Sequence, residues 1–294
     1  MSKARWIKRF APLNAEKALD AALQTADWLE ENSQEDEDTK RWNVLPGKDV
    51  ADEELLLKDT SLYGGAAGDA LLYLRLYVAT EDKKWLEKAK KGIDYCIRQY
   101  CGKEEFYTDA PYLAGAYIGF FNGAAGGAYV ANLLYKLTGE EGYKKFAKTV
   151  TDDLIDAGKE ENGALTWYGF YGILGEGAFP LFLLEMYQTY QDKRYLTAAD
   201  QAAKYIADQK EESPWGGYRW NVMPTENFPT IGKPGGYFPG FEYGAAGCGY
   251  ILASVYAYTK KEEYLEIAKQ AAEYILNIAD YSEDKQAALV RYND

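Results

Sequence analysis

The sequence predicts an all-α protein, an α/α toroid of about four to five inner and outer helix pairs. Three observations carry that prediction: a repeat anchored on glycine, a change of helical character inside each repeat, and a composition able to fill a large core. Four segments align on Gly65, Gly123, Gly175 and Gly244. Twelve residues on, each has a tyrosine (Tyr77, Tyr135, Tyr187, Tyr256), and twenty on an aromatic (Trp85, Tyr143, Tyr195, Tyr264). Twenty-four on, each has an alanine (Ala89, Ala147, Ala199, Ala268), and thirty-one on an apolar residue (Cys96, Leu154, Ile206, Ile275). Agreement at four offsets in four segments marks one supersecondary unit stacked repeatedly.

Within each unit the first helix starts at the small-residue cluster and is apolar nearly all round, as in Leu71–Val78 and Ile251–Tyr258, so it belongs inside. A charged or Gly-containing turn follows: Glu81-Asp82, Gly139-Glu140-Glu141, Gln191-Asp192 or Lys260-Lys261. The second helix is amphipathic. In the last unit Leu265, Ala268, Ala272 and Ile275 are expected to form its buried stripe, with Lys269 and Glu273 in water. A buried helix followed by an amphipathic one, repeated, makes an inner ring within an outer ring, and small residues at each inner-helix start let backbones approach closely. The units cover about 62–100, 120–157, 172–209 and 241–280. An unpaired outer helix at about 13–32 precedes them; its Ala22, Ala26, Trp28 and Leu29 repeat the spacing of Ala199, Ala203, Tyr205 and Ile206. Residues 1–294 read as one domain, and Lys285–Tyr292 is expected to help close the ring.

Of the 294 residues 47% are hydrophobic, enough for a sizeable core. Lys and Arg number 33 against 46 Asp and Glu, and the net charge of −13 argues against nucleic acid and anionic membranes as partners. The most apolar stretch, Gly169–Tyr187, contains Glu176, Pro180 and Glu185 and does not read as a membrane span. Met1–Phe10 is basic without an apolar run, so a cytoplasmic location is expected. Cys96, Cys101 and Cys248 are too sparse for a disulfide framework and are expected to be free thiols. The sequence contains no histidine, which excludes an imidazole base and any Ser–His or Cys–His pair within it. Gly123–Gly127 follows no strand and precedes no lysine in Walker spacing, and no nucleotide, metal or other cofactor is expected.

Four stretches lie outside the repeat, 33–62, 101–119, 158–171 and 210–241, and each precedes an inner helix, so they should gather at one end of the ring, the usual place for a site. Four residues near the inner-helix starts are candidates for catalysis: Glu242, Tyr243, Glu176 and Asp69. Glu242 lies between Phe241 and Tyr243; an apolar surround would raise its pKa and suit it to acid–base work, the alternative being a helix cap. Asp69 and Glu176 sit just inside inner helices and are expected to be buried and paired, with Arg75 or Arg219 as partners. Tyr63, Phe121 and Asn122 at the mouth, and Arg219, Trp220 and Tyr237 in the longest stretch, are candidate ligand contacts. Arg219 suits a carboxylate or phosphate. Flat aromatic faces beside carboxylates suit sugar rings as well as peptide side chains, and Tyr107, Tyr112, Tyr168 and Tyr218 add to them; the alternative is a loop packed on its own aromatics.

Three motifs carry a family resemblance: Ser61-Leu-Tyr-Gly-Gly-Ala-Ala-Gly68, Gly119-Phe-Phe-Asn-Gly-Ala-Ala-Gly126 and Gly240-Phe-Glu-Tyr-Gly-Ala-Ala-Gly247. They resemble the glycine motifs of lanthionine synthetase C-like proteins, from about Leu13 to Ala279. The resemblance implies an α/α toroid and, in bacterial members, closure of thioether rings in lanthipeptide precursors. Zinc-dependent cyclases of that family take ligands from Trp-Cys-x-Gly and Cys-His-Gly motifs before an inner-helix glycine. The corresponding residues here are Tyr63-Gly64, Phe121-Asn122, Ile173-Leu174 and Glu242-Tyr243, so the resemblance carries no zinc site onto them. The expected activity is a metal-independent, cyclase-like protein that binds or modifies a peptide in the toroid mouth. A carbohydrate-active toroid enzyme (an epimerase, glycoside hydrolase or lyase) with a small carbohydrate ligand, and a non-catalytic scaffold, are the alternatives.

Overall fold

Each alignment glycine marks the entry to an inner helix, and the backbone gives the reason. In a computed structural model, which describes residues 14–42, 60–106, 119–169, 172–221, 236–281 and 288–290, the inner helices are α2 (Ala66–Thr80), α4 (Ala124–Thr138), α6 (Phe179–Tyr190) and α8 (Ala245–Thr259). The outer helices are α1 (Ala15–Glu31), α3 (Lys83–Gln99), α5 (Glu141–Ala157), α7 (Lys193–Asp208) and α9 (Glu262–Asn277). A Cβ on Gly68, Gly126 or Gly247 would fall 2.3, 2.6 or 2.1 Å from the carbonyl oxygen of Leu62, Phe120 or Phe241, six residues earlier in each case. The second glycine of each Gly-Ala-Ala-Gly motif therefore lets the entering chain cross over the first helical turn.

The inner helices pack side by side in chain order, α2 on α4, α4 on α6, α6 on α8, with each outer helix against its own inner helix and α1 against α2. This is the architecture of the α/α toroid class. Every inner helix ends on a residue in the left-handed region (Glu81, Gly139, Gln191 and Lys260, φ 58, 74, 55 and 58°), whose N–H donates to the carbonyl of the recurring tyrosine. The aromatic twenty residues past each glycine clasps neighbouring outer helices. Tyr143 bonds Asp94, Tyr195 bonds Asp152 Oδ1 at 3.1 Å, and Tyr264 bonds Asp200 Oδ1 at 2.9 Å. Trp85, which has no hydroxyl, stacks on Tyr73 instead. The N-terminal helix is fastened by Lys40, 1% exposed, which donates to Glu30 Oε2 at 2.8 Å and Glu35 Oε2 at 2.9 Å, while Tyr73 donates to Glu30 Oε1 at 2.6 Å.

Five features differ from the sequence expectation. The stretches between units are not plain loops. After α1, α5 and α7 the chain makes two-stranded antiparallel hairpins: β1 (Ser33–Glu35) with β2 (Lys40–Trp42), β3 (Lys159–Glu161) with β4 (Ala164–Thr166), and β5 (Glu211–Glu212) with β6 (Tyr218–Arg219). Asn162 and Gly163, both at positive φ, turn the second, so an Asn-Gly signal was present in the sequence. Past α9, β7 (Ala279–Tyr281) pairs with β8 (Ala288–Val290); the described part of the segment expected to close the ring folds back locally. The buried stripe of α9 is Tyr264, Ile267, Ala271 and Tyr274, one residue out of phase with the expected one, and Ala272 is exposed. The inner helices are not buried all round: Arg75, Val78, Lys136, Gln188 and Tyr250 are exposed. Finally, α6 starts at Phe179 rather than at Gly175, after a 3-10 turn over Glu176–Ala178. Among the described residues no helix is long and apolar enough to cross a membrane. All three cysteines are free.

Candidate functional site

The entries to the four inner helices form a continuous rim at one end of the ring. Tyr63 N–H donates to the Phe121 carbonyl at 2.8 Å, which ties the first entry to the second. Gly119 lies against the Leu174 and Gly175 carbonyls, and Gly247 against Ile173, joining the second to the third and the third to the fourth. The described residues that lead into the inner helices thus meet one another at this end.

On this rim an aromatic pair recurs, three residues before and six residues after the anchoring glycine. Phe120 and Tyr129 lie 5.6 Å apart between ring centroids, and Phe241 and Tyr250 5.5 Å apart. Phe120 also meets Phe121 edge-on at 5.1 Å. Phe241 (48% exposed), Tyr250 (53%) and Tyr63 (63%) present open aromatic faces. Asn122 is buried beside Phe121, and its Oδ1 has no donor. Toward the opposite end of the inner helices polar groups pair near the exposed Val78 and Leu137: Lys136 donates to Glu185 at 3.0 Å, Asn132 to Glu185 at 3.3 Å, and Gln188 bonds the Tyr258 hydroxyl. The recurring pair and Glu185 are functional candidates that sequence reasoning missed. The signal was available, since both aromatic offsets repeat around the glycine.

The four catalytic candidates occupy different environments. Glu242 is exposed at the rim rather than enclosed by its aromatic neighbours, and Tyr243 is half-buried, its ring 6.2 Å from Phe238. Glu176 is enclosed and pairs with no arginine. Oε1 accepts from the Thr166 hydroxyl at 2.5 Å, and Oε2 from the N–H groups of Trp167, Tyr168 and Gly169 at 2.9, 2.8 and 3.2 Å. Burial pushes its pKa up against the pull of those donors. It splices β4 to the entry of α6, a structural duty.

Asp69 also departs from expectation. It is half-buried in the first turn of α2 and, among the described residues, forms no ion pair with Arg75 or Arg219 and no side-chain hydrogen bond. Burial alone raises its pKa to about 7. The same repeat position is Gly127, Phe179 and Cys248 in the other units. A Cβ on Gly127 would meet Cys96 of α3, and Phe179 packs on Trp167, so this position faces the outer layer rather than the open lumen.

Among the expected ligand contacts, Trp220 is corrected to a core residue. It is 0% exposed, and its indole N–H caps the Ile206 carbonyl at the end of α7 at 2.8 Å, as Trp167 caps Leu154 at the end of α5. Tyr168 is half-buried, with its hydroxyl enclosed. Arg219 and Tyr237 are brought together, the guanidinium carbon 3.6 Å from the ring centroid. Tyr107 and Tyr112 lie outside the described residues.

Fold and rim together define a helix-pair toroid with an open aromatic mouth. Residues 57–276 match the family model for lanthionine synthetase C-like protein, and the chain belongs to that family. No curated protein matches by sequence. Similar solved structures include a D-mannose isomerase (TM-score 0.57, 14% identity, 97% of this chain and 75% of that one). The Lin0763 protein of Listeria innocua is similar with TM-score 0.56 and 18% identity over 90% of this chain and 72% of that one. The α-1,6-mannanase of Salegentibacter sp. HEL1_6 gives 0.53 and 14% over 90% and 71%. These likenesses show the fold.

The zinc of the family's cyclases does not fit the residues present. Tyr63, Phe121, Asn122, Ile173 and Glu242 hold the places of its ligands, and Cys248 is buried inside α8 with its thiol pKa pushed up by desolvation. Among the described residues no three His, Cys, Asp or Glu side chains stand together as a metal site.

Proposed function

We propose that the chain holds a peptide against the aromatic rim and modifies it by acid–base chemistry in which Glu242, exposed on that rim, takes part. The observation that carries the reading is the open Phe241–Tyr250 pair, an apolar surface kept exposed at the end where the inner-helix entries meet, with Tyr63 exposed at the first of those entries. Membership of a family whose cyclases act on peptides supports a peptide as the occupant. Glu242, exposed on the same rim, is the carboxylate in reach of a substrate held there.

A carbohydrate ligand is the second reading. Flat, exposed aromatic faces suit sugar rings, and toroids of similar fold include a mannose isomerase and a mannanase. Thermal-shift titration with Ser/Cys-containing peptides and with mannose and mannooligosaccharides separates the two, because stabilisation follows ligand affinity. Peptides are expected to raise Tm in the parent and not in Phe241→Ala/Tyr250→Ala. Glu242→Gln is expected to retain binding and lose turnover. A shift with sugars alone would transfer the site to the second reading. No shift with either would leave a scaffold.

A further inference from the structure

We propose that Arg219 and Tyr274, outside the aromatic mouth, form a binding site for a carboxylate. Arg219 lies on β6, and its hairpin is seated hard on α9: Gly217 (φ 74°) would place a Cβ 2.3 Å from the Gln270 carbonyl oxygen and 2.6 Å from the Tyr274 nitrogen. The guanidinium lies over Tyr237 and is hydrogen-bonded to it, and among the described residues its buried Nε has no acceptor. Tyr274 is 0% exposed, and its hydroxyl has no partner. Both groups are donors, and a buried donor without an acceptor is costly.

The surrounding charges explain why no internal group fills the gap. Among the described residues Arg219 forms no ion pair, although the chain has 46 acidic residues. Its cross-strand neighbour Glu211 is the carboxylate closest in register, and Glu211 instead accepts from the Tyr237 hydroxyl at 2.6 Å. Lys210, at the base of the same hairpin, lies over the Tyr218 ring, 5.7 Å from its centroid, and donates to the Ala207 carbonyl rather than to an acid. Two cations and two unspent donors therefore share one corner of a strongly acidic protein. A planar, fixed guanidinium matches two carboxylate oxygens, and the half-buried position leaves one edge of Arg219 open to an incoming group.

The inference goes beyond the reading of the mouth and stands or falls separately from it. The test is calorimetric titration of the full chain with an acetylated peptide ending in a free carboxylate and with the same peptide amidated. The amide is expected to bind about ten-fold more weakly, the equivalent of one charge-assisted hydrogen bond. Arg219→Gln is expected to abolish that difference and leave binding of the amide unchanged. Competition by succinate, lost in Arg219→Gln, would identify a free acid as an equally good source of the carboxylate and support the site. Tyr274→Phe is expected to weaken the carboxylate peptide without lowering the Tm of the unliganded protein. Equal binding of the two peptides, or a clear fall in Tm for Tyr274→Phe alone, would overturn the proposal.

Discussion

The entries to the first and third inner helices start from the same repeat and solve the problem of a buried carboxylate in opposite ways. In the third unit, Gly175-Glu-Gly-Ala enters through a 3-10 turn, and Glu176 receives four donors from Thr166, Trp167, Tyr168 and Gly169. In the first, Gly65-Ala-Ala-Gly enters directly into α-helix, and Asp69 is desolvated without a donor. A carboxylate fully supplied with donors holds structure together. One that lacks them is destabilising when charged and available for chemistry. Glu176 directly follows its anchoring glycine, whereas Asp69 lies three residues further along its own unit, where the third unit has Phe179; only Glu176 has a neighbouring turn that aims N–H groups at it.

The largest effect that would break this contrast is on Glu176. Glu176→Ala strands three amides and a hydroxyl in the interior, and a loss of about 3–5 kcal/mol is expected by urea denaturation. Glu176→Gln, which keeps an acceptor, should cost less. A near-neutral Glu176→Ala would show that the turn does not depend on the acid.

Asp69 should behave with the opposite sign. Its folded pKa of about 7 lies above the unfolded value of about 4, so the folded state binds more protons between them. Its contribution is most favourable below about pH 4 and is lost as pH rises through about 7. Asp69→Asn should therefore raise stability by roughly 2 kcal/mol at pH 8 and by much less at pH 5. A uniform loss at both pH values would mean that the carboxylate is anchored like Glu176.

The smallest effects test the backbone behind the comparison. Gly68→Ala puts a Cβ 2.3 Å from the Leu62 carbonyl and should cost about 1–3 kcal/mol, whereas the third unit carries Ala178 at this place because its entry differs. Gly127→Ala, at the repeat position of Asp69, meets Cys96 Cβ at an ordinary 3.6 Å and should gain up to about 1 kcal/mol from helix propensity. Equal Tm changes in the two variants would remove the close-crossing explanation.

The sequence by itself determined the helix pairs, their order and their inner or outer place. These follow from periodicity and local turn chemistry, which act between residues close in the chain: Gly123 and Tyr135 needed no distant partner to be read. Membership of the glycine-motif family was legible for the same reason. The hairpin at Asn162-Gly163 was legible too but was masked by the strength of the helical pattern around it. Only the tertiary structure decided the roles of the polar residues. Trp220 looks like a ligand-binding aromatic until the end of α7 is seen beneath it, and Glu176 and Asp69 are indistinguishable until their donors are counted. Burial and hydrogen bonding depend on groups brought together from separate elements, and a carboxylate takes its pKa from those groups rather than from its place in the repeat.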